Sequence, residues 1–285
     1  MLDFAITDTH VHLWDLQRVR YDWLNDNRSL GRSHGLKEYS EAIGAVPVDT
    51  MVFMEAECIP ADRSKEVAWI ANLARQDPRI RGIVARAEMD SGTAVADQLN
   101  QLKKTPLVRG VRQLIKYEQD PDFCLRPPFI DAVRLLPSYG FTFDICISYP
   151  QTDAMLRFVE RCPDVPMVLD HMGTPIVRDL VLHPWKEQMR RLASFPYVCC
   201  KISSIYTEAN WKRYTLDDVR PFAEHLIEVF GWDRVMWGGD WPVSSEAAPY
   251  PEHFAAVDEI TRSASPSHRQ ALFRDNGIRF YNLRG

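Results

Sequence analysis

The chain has 285 residues, 46% of them hydrophobic and 26% charged, with a formal net charge of −5. That mix is globular rather than fibrous or disordered, and the length suits one large domain. Without a run of Lys or Arg there is no basic patch to replace counterions on phosphates, which excludes nucleic acid as a partner; no segment approaches the ~18 apolar residues of a membrane span.

Eight short apolar runs recur along the chain: Phe4–His12, Thr50–Glu57, Ile80–Glu88, Leu107–Ile115, Phe141–Ser148, Val165–His171, Val198–Ser203 and Val235–Asp240. Segments with helical spacing lie between them. Asp62–Arg75 places Val67, Ile70, Ala71 and Ala74 on one face behind Asp62 as its expected cap. Thr93–Lys103, Pro128–Tyr139, Gln151–Cys162, His183–Ser194, Leu216–Phe230 and Ser267–Tyr281 follow. Strands alternating with helices predict a parallel sheet, and eight units predict closure into a (β/α)8 TIM barrel, a single domain over 1–285. An open doubly wound sheet would favour a glycine-rich first turn, whereas the first run passes into His10-Val-His12-Leu-Trp14 with no glycine before Gly31.

Six cysteines without a CxxC spacing read as buried free thiols. The start, MLDFAITDTHVH, has neither a basic nor a long apolar leader, so the expectation is a cytoplasmic protein, with a homo-oligomer left open.

Barrel active sites are built at the C-terminal ends of the strands, so polar residues ending apolar runs are the candidates. Strand one ends Asp8-Thr-His10-Val-His12, strand two Glu55-Ala-Glu57 and strand four Arg112-Gln113. Strand five carries Asp144, strand six ends Asp170-His171, strand seven carries Lys201 and strand eight ends Gly239-Asp240-Trp241. Alternation puts His10 and His12 on one face, about 6–7 Å apart along the strand, a pair suited to one metal ion. His171 and Asp240 complete a four-ligand set such as Zn²⁺ accepts. By the same alternation Asp170 points away from His171, towards the helix layer. The other histidines, His34, His183, His225, His253 and His268, are expected at the surface.

The segments Asp8-Thr-His-Val-His-Leu-Trp14, Gly110-Val-Arg112, Val168-Leu-Asp-His-Met-Gly173, Lys201-Ile-Ser203, Thr207-Glu-Ala-Asn-Trp211 and Gly239-Asp-Trp-Pro242 together resemble the amidohydrolase-2 branch of the amidohydrolase superfamily. Within it they look most like the L-fuconolactonase and L-rhamnonolactonase group of sugar lactonases. The resemblance implies a barrel that hydrolyses a small lactone, with Asp240 as general base on the attacking water. His10, His12 and His171 would surround the lactone carbonyl or a metal. The bridging lysine of binuclear members has no counterpart at Arg112-Gln113, which implies one divalent ion, Zn²⁺ first, or metal-free catalysis in which the imidazoles serve the oxyanion directly.

Arg112, Lys201, Glu55, Glu57, Asp144 and Trp14 are the candidate substrate contacts, with Trp211 and Trp241 as further stacking surfaces. For two of them a structural role is open as well: Arg112 paired with Asp144, and Lys201 paired with Asp144 or Asp170. The rival functions are a zinc-dependent decarboxylase, a metal-independent pyrone-dicarboxylate lactonase, and an inactive barrel that binds a metabolite.

Overall fold

The computed structural model describes residues 2–283. Its eight strands are β1 (Ile6–Val11), β2 (Val48–Met54), β3 (Ile80–Arg86), β4 (Val108–Arg112), β5 (Thr142–Ile145), β6 (Met167–Leu169), β7 (Val198–Ser203) and β8 (Val235–Gly238). All neighbours pair in parallel in the order β1 to β8. β8 closes on β1 through Asp240 N–H to His10 O (2.7 Å) and His12 N–H to Trp241 O (2.8 Å). The outer layer is α1 (Leu36–Ile43), α2 (Arg63–Leu73), α3 (Ala96–Lys103), α4 (Pro127–Tyr139), α5 (Thr152–Glu160), α6 (Trp185–Ala193), α7 (Leu216–Phe230) and α8 (Tyr250–Ile260). The chain is a (β/α)8 barrel, and every predicted strand is present.

Two helices escape the sequence reading. α1 is short, and its start depends on Glu38 reaching back to the Gly35 N–H (2.9 Å) rather than on a Ser, Thr or Asp cap. α8 begins in Pro249-Tyr-Pro251, which looks like a loop, although proline is well tolerated in a first helical turn. Asp62 does not cap α2: its carboxylate serves Arg20 N–H (3.0 Å) and Lys65 Nζ (2.5 Å) instead. The Ser267–Tyr281 segment is helical in three pieces, Pro266–Gln270, a π turn Ala271–Asp275, and Asn276–Phe280.

This last segment crosses beneath the barrel. Tyr281 and Leu283 pack with Val52, Met54, Val84, Val168 and Met236, plugging the lower end. Gly277 permits the approach, because a Cβ there would sit 2.5 Å from Thr9 Cγ2. On the outer side, Asp8 anchors two helices at once, accepting from Tyr39 Oη of α1 (3.0 Å), Tyr250 Oη of α8 (2.8 Å) and the N–H of Gly239 (2.7 Å). Asp8 and His10 would share a face in a regular strand, yet a register shift between Asp8 and Val11 intervenes, and His10 faces the barrel interior.

Three histidines expected at the surface are buried. His34 lies between Trp14 and Trp241, with ring centroids 5.2 and 5.4 Å away. His225 Nε2 donates to Lys186 O (2.9 Å) and His253 Nε2 to Ser244 O (3.0 Å). For His225 and His253 the carbonyl partner offsets the cost of burying a polar ring. All six cysteines are free.

Candidate active site

The strand ends surround a cavity of about 480 Å³ whose floor carries His12, Arg112, His171 and Asp240. The Asp240 Oδ1 atom lies 3.3 Å from His12 Nε2, 3.5 Å from His10 Nε2 and 3.9 Å from His171 Nε2. The two strand-one Nε2 atoms are 3.2 Å apart. Four residues from β1 and the ends of β6 and β8 therefore converge on one point, as their positions in the sequence predict.

Each imidazole is held from behind. His12 Nδ1 donates to Met54 O (3.0 Å), and His171 Nδ1 meets Ser203 Oγ (2.9 Å). Asp170 Oδ1 lies 3.4 Å from His10 Nδ1. The Met54 carbonyl takes the Nδ1 proton of His12, and His10 Nδ1 lies between Asp170 and Lys201 Nζ (3.4 Å), so that the Nε2 atoms of both rings are turned towards Asp240. Burial pushes His10 well below the ordinary imidazole range and lowers His171 as well. Burial works the other way on Asp240, but His171, the His12 hydrogen bond and His10 outweigh it and keep the carboxyl ionised.

This donor set fits a metal ion. His10 Nε2, His12 Nε2 and Asp240 Oδ1 lie at mutual distances of 3.2, 3.3 and 3.5 Å. A tetrahedral ion with bonds of about 2.0–2.1 Å has donor–donor edges near 3.3 Å. The second grouping of potential ligands, His10, Asp170 and His171, is less suited, because Lys201 Nζ already lies 2.9 Å from Asp170 Oδ1.

Under the floor lies a layer of charge. Arg112 donates from Nε to Glu55 Oε1 (2.7 Å) and from Nη2 to Glu55 O (2.7 Å), and its Nη1 is 3.4 Å from Asp170 Oδ2. Lys201 Nζ bridges Asp144 Oδ2 (2.7 Å) and Asp170 Oδ1 (2.9 Å), and Tyr281 Oη donates to Asp144 from below. Burial raises Asp144 to about 6 against the Lys201 charge. Asp170 is buried equally, yet Lys201 and His10 hold it well below the usual carboxylate range.

The candidate substrate contacts thus separate. Arg112 and Glu57 line the cavity, the latter paired with Arg86 Nη1 (2.7 Å). Glu55, Asp144 and Lys201 do not: their side chains are 0% exposed and their charges are matched within the barrel. Arg112 pairs with Glu55 and Asp170 rather than Asp144, while Lys201 takes both expected partners. Asp170 belongs to the interior and not to the helix layer, because the left-handed backbone of His171 (φ 51°) ends the strand alternation at that point. Trp14 is fully buried, its indole N–H on Arg32 O (2.7 Å), and Trp241 is buried against His34 and Tyr39. Trp211 is exposed and lies outside the cavity lining.

The wall contains residues the sequence reading passed over. Trp23 supplies the aromatic surface that Trp14 does not, with its N–H on Ala56 O (2.9 Å). Arg63, Lys116, Glu208 and Ser204 also line it. They sit in loops and helix starts, or have small hydroxyls, and none is a charged residue ending a strand.

A parallel eightfold barrel with His-x-His on its first strand, a histidine after the sixth and an aspartate after the eighth gathers these residues at the strand ends where barrel enzymes build their active sites. The amidohydrolase family profile matches residues 7–283, and the chain belongs to that family. It is 28% identical to an L-fucono-1,5-lactonase of Burkholderia multivorans, over 97% of this chain and 95% of that one. It is 29% identical to a 2-pyrone-4,6-dicarboxylate hydrolase of Comamonas testosteroni, over 81% of this chain and 75% of that one. A crystal structure of a Burkholderia multivorans amidohydrolase with bound zinc superposes with a TM-score of 0.87 at 27% identity, over 98% of this chain and all of that one.

Proposed function

We propose that this protein hydrolyses a small neutral lactone, a sugar aldonolactone such as L-fucono- or L-rhamnonolactone, with Asp240 as general base. The observation that carries the reading is the Asp240 carboxylate at the cavity floor, facing three imidazole nitrogens. Lactonase relatives support the reaction class.

The chemistry requires a base, a positive field where the carbonyl oxygen becomes anionic, and a proton for the departing ring oxygen. Asp240 Oδ1 takes a proton from water as the water oxygen bonds to the carbonyl carbon. The same carboxyl returns the proton as the ring C–O bond breaks, giving a hydroxy acid. Arg112, held rigid by Glu55, directs positive charge at the floor. A divalent ion on His10, His12 and Asp240, Zn²⁺ first, would supply Lewis acidity and lower the pKa of water.

Charge favours a neutral substrate over a dicarboxylate. Three cations line the cavity, and each has a carboxylate partner: Arg63 with Glu88 (2.8 Å), Arg112 with Glu55 (2.7 Å) and Lys116 with Glu208 (3.4 Å). Asp22, Glu57, Glu208 and Asp240 line it as well, so no unmatched positive charge is waiting for a dianion. Carboxylate acceptors instead suit hydroxyl groups, which donate to them without bringing a charge. The test is kcat/KM for a sugar lactone, its deoxy analogues and 2-pyrone-4,6-dicarboxylate, with and without chelator. Each deleted hydroxyl is expected to lower the rate roughly tenfold; equal or faster opening of the dianion overturns the assignment.

A further inference from the structure

Ser203 and Ser204 end β7, and consecutive strand residues ordinarily face opposite sides. Here both hydroxyls serve the site. Ser203 Oγ takes the His171 backbone N–H (3.2 Å) and meets His171 Nδ1 (2.9 Å). Ser204 turns left-handed, at φ 55°, and its Oγ donates to Asp240 Oδ2. The Ser204 hydroxyl is buried and is in turn bonded to Thr207 Oγ1 (2.8 Å). Since Ser204 spends its proton on the carboxylate, Thr207 is the donor in that second bond. The result is a chain, Thr207 to Ser204 to Asp240, entering from the cavity wall.

From this geometry we infer that Ser204 is a positioning residue for Asp240: it fixes which carboxylate oxygen does the chemistry. The aspartate has two oxygens and one rotatable bond that exchanges them. Oδ2 is held by Ser204, while Oδ1 alone faces His10, His12 and His171. Without the hydroxyl, Oδ2 loses its buried donor and the carboxylate is free to rotate out of line with the bound lactone. The backbone points the same way. A non-glycine residue in the left-handed region is strained, and that strain is what carries the Ser204 hydroxyl to the side Ser203 already occupies.

This inference rests on Asp240 being the base, and the experiment separates the two. Ser204→Gly and Ser204→Ala both delete the hydroxyl, but glycine accepts a φ of 55° without strain and alanine does not. Both variants are expected to lose kcat roughly tenfold, as for a charge-assisted hydrogen bond, with KM changed less than about twofold. Their melting temperatures should diverge, Ser204→Gly at or above wild type and Ser204→Ala below it. Activity would then follow the hydroxyl while stability follows the backbone. Thr207→Val should lower kcat by a smaller factor. If Ser204→Gly turns over like wild type while Asp240→Asn is inactive, the positioning role is wrong and the base stands. If Asp240→Asn is also fully active, the base assignment itself fails. Loss of activity in Ser204→Ala alone, tracking its lower melting temperature, would reduce Ser204 to a backbone role and overturn the inference.

Discussion

Replacing Lys201 with methionine tests whether the buried charge layer is what holds the site in place. Lys201 is fully buried, with Asp144 at 2.7 Å and Asp170 at 2.9 Å. Methionine fills a similar volume but leaves the buried Asp144 without a cation and Asp170 with Arg112 Nη1 alone, at 3.4 Å. Removing one partner of a buried pair costs about 3–5 kcal/mol, because the remaining charge keeps its desolvation penalty. Asp144 is already pushed up to about 6 by burial with Lys201 present. Without Lys201 it rises further and folds protonated at neutral pH. A raised folded pKa means stability complete below the unfolded value, near 4, and lost as pH climbs towards the folded one. The variant should therefore be closest to wild type near pH 5 and weakest near pH 8. Urea unfolding at both pH values measures this, and Lys201→Met/Asp144→Asn should recover part of the loss, the two positions being in contact. A loss below about 1 kcal/mol at pH 8, or one that does not grow with pH, would show that the layer does not support the floor.

Asp240→Asn should lower kcat by about 10²-fold or more with unchanged circular dichroism; wild-type turnover would remove it from the chemistry. Protein purified without chelator should carry close to one equivalent of a divalent metal by elemental analysis, and His12→Ala should abolish that content. Less than about a tenth of an equivalent with full activity would favour direct stabilisation of the oxyanion by the imidazoles. Glu66 is fully buried beneath the end of β2, accepting from Tyr21 Oη (2.9 Å), and burial together with the Glu55 charge pushes it up to about 8, against Arg112. Its contribution to stability falls as pH rises from about 4.5 to about 8, by up to roughly 5 kcal/mol. Glu66→Gln keeps the Tyr21 bond, so urea unfolding of the variant should lose less stability than wild type between pH 5 and 8.5; parallel losses would refute the assignment.

The barrel was legible because its signal is spread over the whole chain: each β-branched run must fill a strand and each 3.6-period segment must cover it. His10, His12, His171 and Asp240 were legible for a related reason, since strand order alone delivers all four to one end. The division of labour among the other charged residues was not. Glu55, Asp144 and Lys201 occupy positions much like that of Arg112, one per strand, yet only Arg112 reaches the cavity. Depth along a tilted strand and the pairing of each charge with a neighbour decide that, and neither is written in one strand's pattern. Trp14 and Trp23 make the same point: nine residues apart in one loop, the nearer to the strand is core and the farther is wall.

Where alternation fails, it fails at the site. Glu57, His171, Ser204 and Asp240 all have positive φ, at 54°, 51°, 55° and 56°, and all lie one to three residues past the end of a strand. None is glycine, so each carries strain of about 1–3 kcal/mol that the surrounding structure must over-determine. The left-handed backbone at His171 and Ser204 turns each of those side chains to the face that its predecessor occupies, and this is how Asp170 and His171, or Ser203 and Ser204, serve one interior together. Period-two reasoning assigns the first of each such pair correctly or the second, but never both. Local strain in this barrel is therefore concentrated at the site, at Asp240 itself and at the His171 and Ser204 side chains that meet it.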